Sequence, residues 1–250
     1  MKKTSKKFFI GALAAATVIN LFSPIPLFAQ TTPTAAGFCT RIAEVASRLD
    51  QRIADREGQI SARRQERSDN LAKRRSERDA RMSENRARRD VNREEHYAQL
   101  EARATTDAQK QAVAAFKSAV EAAISARKTA VDAAISSFKQ GVDSAIASRK
   151  LGMDAAISAF KSARIVAADK AKADCAAGVA PRTARETFRM SMRAARDKFK
   201  SDVQATEKLR DSVESLHVSR RQAVEKAFDD FKAAMEKART DLKAALQTAP

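Results

Sequence analysis

Tryptophan is absent from this 250-residue chain, tyrosine occurs once, at Tyr97, and the only histidines are His96 and His217. That poverty argues against a compact enzyme with a thick core. Glu94-Glu95-His96 lacks the second imidazole four residues on that a zincin helix needs. The two cysteines, Cys39 and Cys175, stand alone, so neither a CxxC redox pair nor a cysteine zinc site can be assembled. The few glycines form no phosphate-cradling loop and no GxSxG elbow. No catalytic residue, metal site or cofactor is therefore expected. After Pro33 the only prolines are Pro181 and Pro250, so little interrupts a helix.

What is present begins with Lys2, Lys3, Lys6 and Lys7, followed by an uncharged apolar run from Phe8 to Phe22 that is short for a membrane span. This reads as a Sec signal peptide over 1–29, cut after Ala29, with a linker over 30–37. An uncleaved anchor is the alternative. The expected destination is outside the cytoplasm: periplasm, cell surface or medium. Removing 1–29 takes four lysines and no acid, lowering the formal charge of +17 by four. Acids are interspersed with bases almost everywhere, so the surface is mixed with a cationic bias. Such a surface suits protein partners, self-association, or an anionic envelope polymer or lipid. Nucleic acid is disfavoured, because aromatics for base stacking are missing and the acids oppose phosphate binding.

The strongest pattern is a repeat of eleven: AFKSAVEAAIS (115–125), ARKTAVDAAIS (126–136), SFKQGVDSAIA (137–147) and SRKLGMDAAIS (148–158). Eleven residues close three helical turns, which keeps equivalent positions on one face. Val120, Val131, Val142 and Met153 make one row, and Ile124, Ile135, Ile146 and Ile157 a second. Both rows are expected to pack, together with Phe116, Phe138 and Phe160. A small row of Ala119, Ala130, Gly141, Gly152 and Ala163 invites close approach of another helix. Arg127 and Arg149 interrupt the phenylalanine row. Interhelical ion pairs are expected for both, with Asp229 and Asp230 opposite Arg127, and Glu66, Asp69 and Asp211 near Arg149. In each repeat a lysine precedes an acid by four, as in Lys117 and Glu121, a pattern that favours helix packing over a lipid surface.

Residues 39–104 carry sparse apolar anchors among interleaved charges, and a helix of that kind needs a partner. Cys39 and Cys175 are symmetric about Asp107, where Thr106 and Gln109 have capping-box spacing. A fold-back there brings the cysteines together, and an exported chain would oxidise them to a disulfide. Gly178, Pro181 and the Thr183–Glu186 box mark a second turn. The third segment, from Phe188 to Leu242, spaces its apolar residues by fours and threes.

The expected fold is all-α: an elongated antiparallel three-helix coiled-coil bundle, up-down-up, with helices at about 38–104, 106–176 and 184–247 and a tail at 248–250. The alternative is a continuous rod of about 200 Å over 38–176 that must oligomerise.

Functionally, the reading is an exported, non-enzymatic structural spacer or protein-interaction scaffold of the cell envelope. In size, export signal, basic charge and helical-hairpin character the chain is similar to periplasmic chaperones of the Skp/OmpH type. That similarity implies a holdase as the alternative. The eleven-residue repeats also resemble apolipoprotein-like and synuclein-like surface helices, which would imply lipid binding.

Overall fold

The computed structural model describes residues 36–206 and 208–248. The expected signal segment lies outside the described residues, as does all of the linker except Ala36 and Gly37, which already belong to the first helix. The described residues form an all-α helical bundle without a strand: α1 Ala36–Arg103, α2 Asp107–Ala176, α3 Pro181–Ala205 and α4 Leu209–Thr248. Among the described residues no helix is long and apolar enough to cross a membrane.

The chain does break between α1 and α2. Thr106 Oγ1 accepts from the Gln109 backbone N–H at 3.2 Å, while the Gln109 side-chain oxygen accepts from the Thr105 and Thr106 backbone N–H groups. These reciprocal bonds satisfy donors that a helix start leaves open. α2 ends at Gly178, whose φ of 76° is left-handed. Val179 N–H bonds Asp174 C=O and Gly178 N–H bonds Cys175 C=O, the paired bonds of a Schellman motif.

Two boundaries differ from expectation. α3 starts at Pro181 rather than near Ala184, with Ala180 as an N-cap that makes no side-chain bond. Proline's missing N–H is harmless in the first turn, so the Thr183–Glu186 box is not needed. The third segment is also not one helix. At Thr206 the backbone turns extended (ψ 126°), and its hydroxyl donates back to Asp202 C=O at 3.1 Å. Such back-bonding by a β-branched residue competes with helix continuation.

The chain divides into two compact units. The first gathers 36–46 with 144–214 and the second 47–143 with 215–248. In the first, Phe38, Ile42, Ala171 and Ala184 form a core to which Phe188, Cys39 and Cys175 add. Cys39 and Cys175 are bonded, with their Cα atoms 5.6 Å apart, an ordinary disulfide separation. Phe160 stacks on Phe199 at 5.6 Å between centroids. Arg164 is buried there at 2% exposure, and its guanidinium donates to the Ala46 carbonyl at 3.4 Å. In the second unit Tyr97, Val120 and Ala238 form a core shared by α1, α2 and α4.

Candidate functional site

The second unit holds a periodic polar arrangement built on the eleven-residue repeat. Arg75 makes two bonds to Asp143, at 2.8 and 3.0 Å, and Arg86 makes two to Asp132, at 2.6 and 3.0 Å. Eleven residues along α1 are thus matched by eleven along α2 in the opposite direction, so the two segments are antiparallel. The next acid of the repeat, Glu121, accepts from Arg93 Nε at 2.6 Å and from the Tyr97 hydroxyl at 3.1 Å. Lys139 binds Asp79 at 2.7 Å, and Lys117 lies between Glu94 and Glu101. The repeats at 115–125 and 137–147 each offer a lysine and an acid four apart that α1 answers with an acid and a base, and the repeat at 126–136 is answered through its acid, Asp132. The inward stripe of α1 includes half-buried Leu71, Arg75, Met82, Arg86 and Arg93, buried Tyr97 and half-buried Leu100. Its few apolar anchors suffice because arginine stems cover apolar surface while their heads pair.

Tyr97 is 3% exposed. Burial, and then its hydrogen bond to the Glu121 carboxylate, push its phenol up to about 12. Burial opposes the charge on Arg93, but hydrogen bonds to Asp90 and Glu121 outweigh it and raise its pKa.

Beside Tyr97 lies an open groove of about 440 Å³, lined by residues of α1, α2 and α4. Its lining is mostly apolar, with Phe116, Val120, Ile124, Phe231 and Met235, and includes Arg93, Arg103 and Arg239. Arg127, next to it, lays its guanidinium over the Phe231 ring at 4.1 Å. That is a cation–π contact rather than the expected ion pair. No described acid bonds Arg127, and Asp230 is held by Lys226 on its own helix. Burial first, and then repulsion from Arg89, Arg86 and Arg93, lower the pKa of Arg127.

The other expected packing residues distribute unevenly. Phe138 is flanked by the Arg220 guanidinium at 4.4 Å and by the His217 ring, edge-on at 6.0 Å. Phe160 is buried. Ile124, Ile135 and Ile157 are half-buried, whereas Ile146 is exposed at 39%, so it does not belong to a packed row. The buried companions of Val120, Val142 and Met153 are instead Ala123, Ala134 and Ala156. These alanines sit three residues after Val120, Val131 and Met153, where a short side chain admits a neighbouring helix. Arg149 is half-buried in the first unit.

Of the small row, Gly141 and Gly152 are the close approaches. A Cβ on Gly141 would lie 2.5 Å from a Leu216 methyl, and one on Gly152 would lie 3.2 Å from Thr206. Among the described residues there is no group of three or more His, Cys, Asp or Glu able to hold a metal. No protein family, curated protein or solved structure matches this chain.

Proposed function

We propose that the chain is an exported, non-enzymatic protein that serves as a structural spacer or protein-interaction scaffold of the cell envelope, with its helices arranged as a long up-down-up coiled-coil bundle. The observation that carries this reading is the Cys39–Cys175 bridge, which links the first turns of α1 to the last turn of α2 across 136 residues. Disulfides persist in oxidising compartments, and a basic, apolar leader at the N-terminus is the means of reaching one. The periodic Arg–Asp pairing supports the same role, since it commits the polar side chains of two helices to holding each other in register. Partners of such a surface are proteins, other copies of the chain, or anionic envelope polymers and lipids.

A holdase of unfolded envelope proteins is the second reading, favoured by Leu151, Val166 and Met190, which stand 71%, 69% and 64% exposed on the basic helices of the first unit. Chemical crosslinking in the native host, followed by identification of the captured proteins, separates the two. Wall or surface-assembly components support the scaffold. Unfolded outer-membrane proteins support the holdase and overturn the scaffold.

A further inference from the structure

Charge around the groove beside Tyr97 is unbalanced. Glu121 and Asp90 are committed to Arg93, and Glu94 and Glu101 to Lys117. Arg103 and Arg239 line the groove from α1 and α4, and neither has a carboxylate partner among the described residues. Arg127 adds a guanidinium over the Phe231 ring, with Arg89 near enough to repel it. The rest of the lining is largely aromatic and aliphatic. A largely apolar groove that includes arginines in its lining complements a molecule that is apolar along its body and negative at one end.

Size narrows the occupant. A volume of about 440 Å³ lies within the usual range of roughly 300–1,000 Å³ for small-molecule sites. A protein partner needs on the order of 800 Å² of each surface for a stable contact, far more than these few side chains present. Along α1 the lining runs from Arg93 to Arg103, about 15 Å at 1.5 Å per residue, long enough for an alkyl chain.

We infer that this groove binds a monomeric amphiphile with a single anionic headgroup, a carboxylate or phosphate, held by Arg103 and Arg239, with its apolar body against Phe116, Phe231 and Met235. The assignment stands apart from the scaffold reading, which survives if it fails. It is tested by isothermal titration of the mature, oxidised protein with dodecanoate below its micellar concentration, beside dodecyltrimethylammonium as the cationic counterpart. Dodecanoate is expected to bind saturably at one site per chain, at least tenfold more tightly than the cation. R103Q/R239Q should lose at least tenfold in affinity while keeping its helical circular dichroism, and R189Q, on the exposed face of α3, should lose none. Four results would overturn the assignment: no saturable binding, equal affinity for both head charges, full affinity in R103Q/R239Q, or binding to phosphatidylglycerol vesicles without binding of the monomer.

Discussion

Gly58 and Gly141 both sit in helix interiors, and they make a controlled pair. At Gly58 an added Cβ meets nothing within 4 Å, so Gly58→Ala should deliver only the helix-propensity gain of about 0.8–1 kcal/mol. At Gly141 the same gain is set against Leu216, whose two methyls would lie 2.5 and 2.9 Å from the new carbon. Leu216 is half-buried and must rotate or lift α4 away, an overpacking cost of about 1–3 kcal/mol. Gly141→Ala should therefore be neutral or destabilising by up to about 2 kcal/mol. In an L216A background the obstruction is gone, and the same substitution should become stabilising, a coupling of about 1–3 kcal/mol. Urea unfolding followed by circular dichroism at the helical band measures all four variants of the cycle. If Gly141→Ala stabilises as much as Gly58→Ala with Leu216 in place, α4 does not pack on the glycine face of α2 and the helix arrangement of the second unit is wrong.

Tyr97 offers a probe without interference, because it is the only tyrosine and there is no tryptophan. Its phenol is raised in the folded chain from 10 to about 12, so the native state holds its proton more tightly than the unfolded state does. This contribution to stability is complete below pH 10 and is lost between about pH 10 and 12. Ultraviolet titration of tyrosinate should have its midpoint near 12 in native protein and near 10 in denaturant, whereas a native midpoint near 10 would mean that Tyr97 is not buried against Glu121. The half-exposed Arg86–Asp132 pair should show a double-mutant coupling of about 0.2–1 kcal/mol that shrinks in 1 M salt. No coupling at low salt would argue against the register of α1 on α2. Reducing Cys39–Cys175 should lower stability by as much as about 5 kcal/mol on the chain-entropy model for a 136-residue separation. An unchanged melting temperature under reductant would contradict a closed intrachain loop.

Where backbone chemistry is local, the fold could be read from the residues themselves. Thr106 with Gln109, and Gly178 at the end of α2, solve problems confined to one helix end and appear in the structure as their spacing predicts, whereas Pro181 opens α3 in place of the Thr183–Glu186 box. The cysteine symmetry about Asp107 is legible for a related reason: a helix converts sequence distance into length at a fixed rise per residue. The break at Thr206 was harder to see because neither glycine nor proline marks it. The sign is a gap in the apolar spacing, where only Ala205 and Leu209 stand between Val203 and Val213. α1 concealed its inward stripe by building much of it from arginine, and only the spacing of eleven shared by Arg75 and Arg86 exposes the match to Asp143 and Asp132. Ile146 and Arg127 show the limit of periodicity. A repeat places equivalent residues on one face, but what that face meets changes along the helix, and only tertiary contact distinguishes the cation–π seat of Arg127 from an ion pair.

The doubling-back of α1 and α2, closed by sulfur, and the proposal that it forms outside the cytoplasm are tested most directly by mass spectrometry of an unreduced proteolytic digest of protein isolated from its native host. The account predicts a single chain's Cys39 peptide joined to its own Cys175 peptide, in material whose N-terminus begins at Gln30. Both thiols recovered free, or joined only between separate molecules, would contradict it.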